Sequence, residues 1–267
     1  MMKTVIPVLS LAALAACGGG GGGGSAPTPG SFLDPGSTQS FALSTISIAD
    51  DTASTNSDAA NGALISLAGL NGQFNGARDR IDFENDGGTA DILTDTTTQV
   101  ALFNAKPKNA EPFMGVIGVP TAMAALPTGN VTYDGASSAR FVIIDGNTGA
   151  TFDVTGDVLA TADFDGATLD LTFDNFAGTS VIGVAAPVAV SDVGVLEIDD
   201  ATLALGAFSG GTADFIRGAD FATDMSLSTI VTVSGGVFGP TGEELAGVVI
   251  VQDSTADLLF SGGFTAN

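Results

Sequence analysis

A chain of 267 residues with 37 glycines and 45% hydrophobic content has the composition of a β-rich fold, with room for one large domain or two small ones. Its 30 acidic against 7 basic residues give a formal charge of −23, which repels phosphate backbones and makes nucleic acid a poor partner. Histidine and tryptophan are absent and Cys17 is the single cysteine, so the usual nucleophile–base pairs, zinc sites and haem ligation are missing, and no cofactor or metal is expected. The acidity itself fits either a basic partner patch or simple solubility in a salty habitat.

The amino terminus reads as a targeting device. Lys3 supplies a positive start, Val5 to Ala13 form a short apolar stretch, and Leu14-Ala15-Ala16-Cys17 closes it with small residues. This resembles a bacterial lipoprotein signal, which implies cleavage after residue 16 and acylation of Cys17 as the membrane attachment. The alternative is an ordinary secretory signal with an accidental cysteine. Acyl chains bind a bilayer at about 0.8 kcal/mol per buried CH₂, so a lasting anchor needs two or three of them. Gly18 follows Cys17, and the absence of aspartate there points to the outer membrane. Residues 17–36 then read as the lipidated cysteine and a tether, with seven consecutive glycines from Gly18 to Gly24 and a Ser/Pro/Thr/Gly continuation. No later apolar run reaches the roughly 18–20 residues of a spanning helix.

From 37 to 125 the signals are those of a small β-subdomain. Phe41 to Ile48, Ala63 to Ala68, Arg78 to Phe83 and Gln99 to Phe103 are short apolar or alternating runs between Asn, Asp and Gly clusters, and Phe113 to Pro120 is a further apolar stretch. Exposed strand edges are expected here. Asp82-Phe-Glu84-Asn-Asp86-Gly87 imitates the opening of a calcium loop, but Leu93 stands where the closing glutamate belongs, so a hairpin turn is the better reading.

From 126 to 267 the period of two is plain. Phe152, Val154 and Val158 share one parity against Thr151, Asp153, Thr155 and Asp157, and Leu169, Leu171 and Phe173 oppose Asp170, Thr172 and Asp174. Further strands read at Ala139 to Ile144, Gly194 to Leu205, Ala213 to Ile216, Leu227 to Phe238, Leu245 to Val251 and Leu258 to Phe264. In Gly194 to Leu205 the apolar parity changes across Asp199-Asp200, which predicts a β-bulge. A meander of about eight strands with no helical period closes most economically into an antiparallel up-and-down β-barrel filled by phenylalanines. The fold class is all-β, a handle-like subdomain followed by an eight-stranded barrel.

Three stretches carry a family likeness. Phe238-Gly-Pro-Thr-Gly-Glu-Glu-Leu-Ala-Gly247 is a hairpin turn between apolar strands, Leu126-Pro-Thr-Gly-Asn-Val-Thr-Tyr-Asp-Gly135 opens the meander, and Asp163-Phe-Asp-Gly-Ala-Thr-Leu169 lies between them. Taken in chain order they resemble the barrel motifs of transferrin-binding protein B and its relatives among bacterial surface lipoproteins. The resemblance runs from about residue 112 onward and implies a handle-and-barrel lobe. That family has two lobes, whereas this chain has room for one, and its closing Phe-Gly-Ala-Lys-type run is reduced here to Gly263-Phe264. No transferrin-contacting loop is matched, so transferrin itself is not predicted.

The resemblance implies an outer-membrane lipoprotein, exposed at the cell surface or facing the periplasm, that binds a protein ligand in iron or haem supply or in host interaction. A passive coat lipoprotein without a ligand is the alternative. Enzymatic function would need carboxylate pairs such as Asp163 with Asp165 or Glu243 with Glu244. Adjacent residues in a strand face opposite ways, and an i, i+2 pair on a wet face is ordinarily just solvated. At the Phe238 turn, Phe238 and Leu245 are expected as core anchors, with one glutamate bonding turn amides and its neighbour facing water.

Because acyl chains are the attachment expected for this chain, Cys17→Ser should release it from membranes. Persistent pelleting of the mutant with the outer membrane in high salt would contradict the lipoprotein reading.

Overall fold

The computed structural model describes residues 40–49, 52–61, 64–67, 70–74, 80–84, 87–93, 99–110, 112–145, 148–180, 189–219, 229–253 and 258–267. The amino-terminal apolar stretch, the glycine run and Cys17 lie outside them. The described residues are almost wholly β, organised as two closed rings of antiparallel strands.

The first ring is β1 (Ser40–Ala49), β2 (Thr52–Asn61), β3 (Leu64–Leu67), β4 (Leu70–Phe74), β5 (Arg80–Phe83), β6 (Thr89–Ile92), β7 (Val100–Lys106) and β8 (Phe113–Gly118). Each strand pairs with the next, and β1 returns to β8 with Ala42 opposite Gly118 and Ser47 opposite Phe113. The exposed edges expected from the sequence are therefore absent, because the first and last strands satisfy each other's main-chain groups. Ile81, Phe83, Ala101, Phe103, Ala105, Phe113 and Ile117 form a small core inside, with Phe103 and Phe113 edge-on at 6.1 Å. The calcium-like stretch is the β5–β6 hairpin. Asp82 is paired with Arg80 at 2.7 Å, and Gly87 turns at φ 74 with its N–H donated to Phe83 O.

The second ring follows the meander. Its wall runs β9 (Asn130–Asp145), β10 (Thr148–Asp163), β11 (Thr168–Ser180), β13 (Gly194–Ala204), β14 (Ala207–Ser209), β16 (Thr229–Phe238), β17 (Glu244–Asp253) and β18 (Leu258–Ala266), and β18 closes on β9. Two further strands extend this wall: β12 (Ala189–Val190) along β11 and β15 (Thr212–Arg217) along β13. The parity read from the sequence holds. Phe152, Val154, Val158, Leu169, Leu171 and Phe173 point inward while Asp153, Asp157 and Asp170 are exposed.

Phenylalanine fills the interior. Phe141 meets Phe260 at 4.8 Å and Phe176 at 5.1 Å, and Phe173 meets Phe264 at 5.4 Å, mostly edge to face. Such pairs add about 0.5–1.5 kcal/mol each beyond their buried area. The predicted bulge lies in β13. One residue of β11 between Leu169 and Leu171 faces two of β13 between Ile198 and Ala201, and Asp200 takes φ 56 with its N–H donated to Asp170 Oδ1 at 2.9 Å. A second bulge sits in β11, where Asn175 takes φ 51 and donates to Asp157 Oδ2 at 2.9 Å. It carries Phe173 and Phe176, of opposite parity, into the same core.

The rings pack side by side. β17 is the strand they share: Leu245, Val249 and Val251 face the barrel interior, while Ala246, Val248 and Ile250 face Val100, Leu102 and Val116 of the first ring. Its unbroken apolar run is thus the mark of a strand buried on both faces. On neighbouring β18, Gly263 leaves room for Leu102, where any Cβ would collide with that side chain.

Candidate functional site

The hairpin between β16 and β17 is where the sequence motifs, the joint between the rings and a buried charge come together. Its turn, Gly239-Pro240-Thr241-Gly242, has φ 87 at Gly239 and 75 at Gly242, left-handed values that explain glycine at both places. Leu245 is buried in the barrel core, as expected. Phe238 is also buried, but in the joint rather than the core: it packs with Val100, Val116, Val248 and Ile250. Around it the segment after β8 is laced to the hairpin. Pro120 bridges to Phe238, the Thr121 N–H is donated to Val237 O at 3.0 Å, the Gly239 N–H to Val119 O at 3.0 Å, and Thr121 Oγ1 to Gly239 O at 2.8 Å.

The two glutamates divide their roles differently from the expectation. Glu243 is the exposed one and also caps the turn, accepting from Thr241 N at 2.8 Å and Thr241 Oγ1 at 3.0 Å. Glu244 does not face water. It is 7% exposed, and its two carboxylate oxygens accept the Gln99 N–H at 2.8 and 2.7 Å, with the Val100 N–H bonding it as well. A carboxylate on the barrel thus satisfies main-chain donors at the start of β7 in the other ring. Burial pushes its pKa above the usual carboxylate value, and Glu243 adds to this, against the lowering effect of the two amides. Six large apolar side chains line the joint. At roughly 1.5 kcal/mol or more each, these six together outweigh the main-chain bonds to the carboxylate, worth about 1.5–3 kcal/mol apiece before the cost of burying the charge, so packing holds the joint and Glu244 sets its register.

All three motif segments meet on this rim of the barrel, called the near rim below. The Tyr133 hydroxyl donates to Gly242 O at 2.8 Å, and its pKa is pushed up to about 12, first by burial and then by Glu243. Pro127 lies against Gly242, 2.6 Å from where a Cβ would stand, and Leu126 lies against Gly206. The Phe164 N–H reaches Gly129 O at 3.0 Å. In the third motif Asp163 Oδ1 accepts from Asp165 N at 3.0 Å and Gly166 N at 2.8 Å, an aspartate turn that closes the β10–β11 hairpin. Neither carboxylate pair has the geometry of an acid–base dyad. Asp163 is held by its own turn, and Glu243 and Glu244 serve different partners. The sequence placed these residues on turns but missed that the Phe238 turn is a joint.

No family model matches the chain, and no curated protein matches its sequence. Solved structures do. Transferrin-binding protein B from Haemophilus parasuis superposes with a TM-score of 0.57 at 17% identity over 85% of this chain and 44% of that one. The same protein from serogroup B Neisseria meningitidis gives 0.52 at 18% over 85% and 43%. An intact protein of this kind with N and C lobes gives 0.53 at 18% over 85% and 45%. The chain therefore has the fold of a transferrin-binding protein B lobe and spans less than half the length of those proteins.

Removing the Phe238 ring should cost roughly 3–5 kcal/mol in denaturant melts of Phe238→Ala. Glu244→Lys should cost at least about 2 kcal/mol, since it aims a cation at main-chain donors, while Glu243→Lys loses only a turn cap worth about 1 kcal/mol. Equal effects of the two reversals would refute the division of roles.

The pH dependence has a definite sign. A carboxyl raised by folding contributes stability that is fully present below its unfolded value of about 4.3 and lost as pH rises through the folded value. As pH falls toward that unfolded value the native chain should therefore gain stability relative to Glu244→Gln, which cannot titrate. Parallel urea melts read this difference, and a flat or opposite trend would show that burial does not control the charge.

Proposed function

We propose that this chain is a lipoprotein attached through Cys17 to the outer membrane, at the cell surface, and that its folded part binds a protein ligand. The observation that carries the reading is the two-ring fold shared with transferrin-binding protein B, a protein named for binding transferrin. The lipoprotein-like stretch ending at Cys17 supports the anchor, and the glycine-rich residues 17–36 fit a tether. Within the folded part we assign residues 37–125 to a handle and 126–267 to the barrel. Protein capture in iron or haem supply, or in host interaction, is the role this arrangement suits. Transferrin itself is not assigned.

The outer wall of the barrel fits protein recognition better than catalysis. Asp153, Asp157, Asp170, Asp199 and Asp200 stand exposed on β10, β11 and β13, with Arg140 bound to Asp153 at 2.6 Å. Such a field attracts a basic partner surface and speeds encounter at low salt.

The test is a titrated capture from growth medium and from host fluid on the immobilised chain. A receptor enriches one protein saturably, is competed by free chain, and weakens as salt rises. A passive coat protein yields no saturable partner, and that outcome would retire the binding reading.

A further inference from the structure

Two stretches of the near rim are unlike the rest of this acidic surface. In a chain with 30 acidic residues, no charged residue stands between Pro112 and Tyr133 or between Ala201 and Ala213, and both stretches reach this rim. The first carries a single 3₁₀ turn, Met123–Ala125, in which Met123 is 66% exposed beside exposed Ala122 and Ala124. The second carries the β13–β14 turn, with Leu205 73% exposed at φ 55 and Gly206 at φ 78. Asparagine or glycine suits that left-handed place and leucine is strained in it, so neither packing nor backbone preference accounts for Leu205. Leu126 joins the two stretches through its contact with Gly206.

The chain also enters the fold at this end. β1 begins at Ser40 and runs antiparallel to β8 with Ala42 opposite Gly118, the end of β8 from which the chain goes on to Pro120 and its bridge to Phe238. Cys17 lies 23 residues before Ser40. A glycine-rich segment of that length has a root-mean-square span of roughly 25 Å, so the end at which the chain enters the fold is on average the end nearest the anchor.

We propose that the near rim is a membrane-contact face, with Met123 and Leu205 set into the headgroup boundary of the bilayer, Leu126 packed behind them against the barrel, and the opposite rim directed outward. This rests on the anchoring reading above. The charged groups at the rim are acids, Glu243, the Asp163–Asp165 turn and Asp134, and among the described residues no lysine or arginine joins them. An uncharged, zwitterionic lipid surface therefore suits the rim, and an anionic one opposes it.

The experiment makes attachment independent of acylation. A Cys17→Ser chain from residue 17 onward, with an N-terminal hexahistidine tag, is held on phosphatidylcholine vesicles containing nickel-chelating lipid. A fluorophore sensitive to polarity is placed at Met123→Cys or, as control, at Ala189→Cys on exposed β12. Emission at 123 should shift to the blue and be quenched by lipid carrying a shallow nitroxide, while emission at 189 should not change. Adding Leu205→Asn, which relieves the backbone strain, should diminish the quenching at 123, as should replacing part of the lipid with phosphatidylglycerol. Equal quenching at both positions, or none at 123, overturns the proposal. So does a blue shift that needs no lipid and grows with protein concentration, which would seat a second copy on the rim. Flotation of the natively processed chain against Cys17→Ser reads the anchor separately, so the two readings can fail independently.

Discussion

Everything in this molecule depends on β17 being buried on both faces. A strand of a closed barrel ordinarily shows one face to its core and the other to water, and the alternation of β10 and β11 records that division. β17 instead sends Leu245, Val249 and Val251 into one core and Ala246, Val248 and Ile250 into another. The outward residues would form an apolar stripe on an isolated barrel, of the kind that marks an association surface. Here the first ring covers it. The two rings are therefore coupled by the same hydrophobic burial that stabilises each of them, and the Phe238 hairpin stands at the end of that shared strand.

A buried carboxylate is a costly way to finish such a joint. Among the described residues Glu244 has no cation opposite it, only main-chain N–H groups, so its value lies in position more than in energy. It fixes where the start of β7 sits along β17, as Gly263 fixes how near Leu102 can come. Apolar contacts tolerate sliding, whereas directional bonds at one end and a steric slot further along define a register. The interaction that contributes least to affinity between the rings thus contributes most to their alignment.

Much of this was legible in the sequence, for identifiable reasons. A half-buried strand writes its burial as a period of two, so the barrel strands, their facing and the bulge at Asp199-Asp200 could be read directly. The second bulge had the same signal in Phe173 and Phe176, three apart and both large. What could not be read was partnership. Leu245 to Val251 breaks the alternation, which marks two buried faces but does not name the second neighbour. Glu244 looks like any acid on a turn until the first ring is placed against it. β2 and β14, one polar and one three residues long, lack any pattern at all. The closure of the first ring also escaped, since pairing between β1 and β8 joins segments some seventy residues apart.

That mode of closure has a bearing on how the protein is made. In both rings the strand that completes the wall is the last one: β8 returns to β1, and β18 returns to β9, where Asn267 exchanges main-chain hydrogen bonds with Asp134. Contacts of such long sequence separation form slowly, because the loop must be closed before any of its stabilisation is gained. A barrel built this way has no complete wall until its final residues are available. The first ring can therefore close once β8 is made, whereas the second waits for β18, so the two walls are completed in succession rather than together.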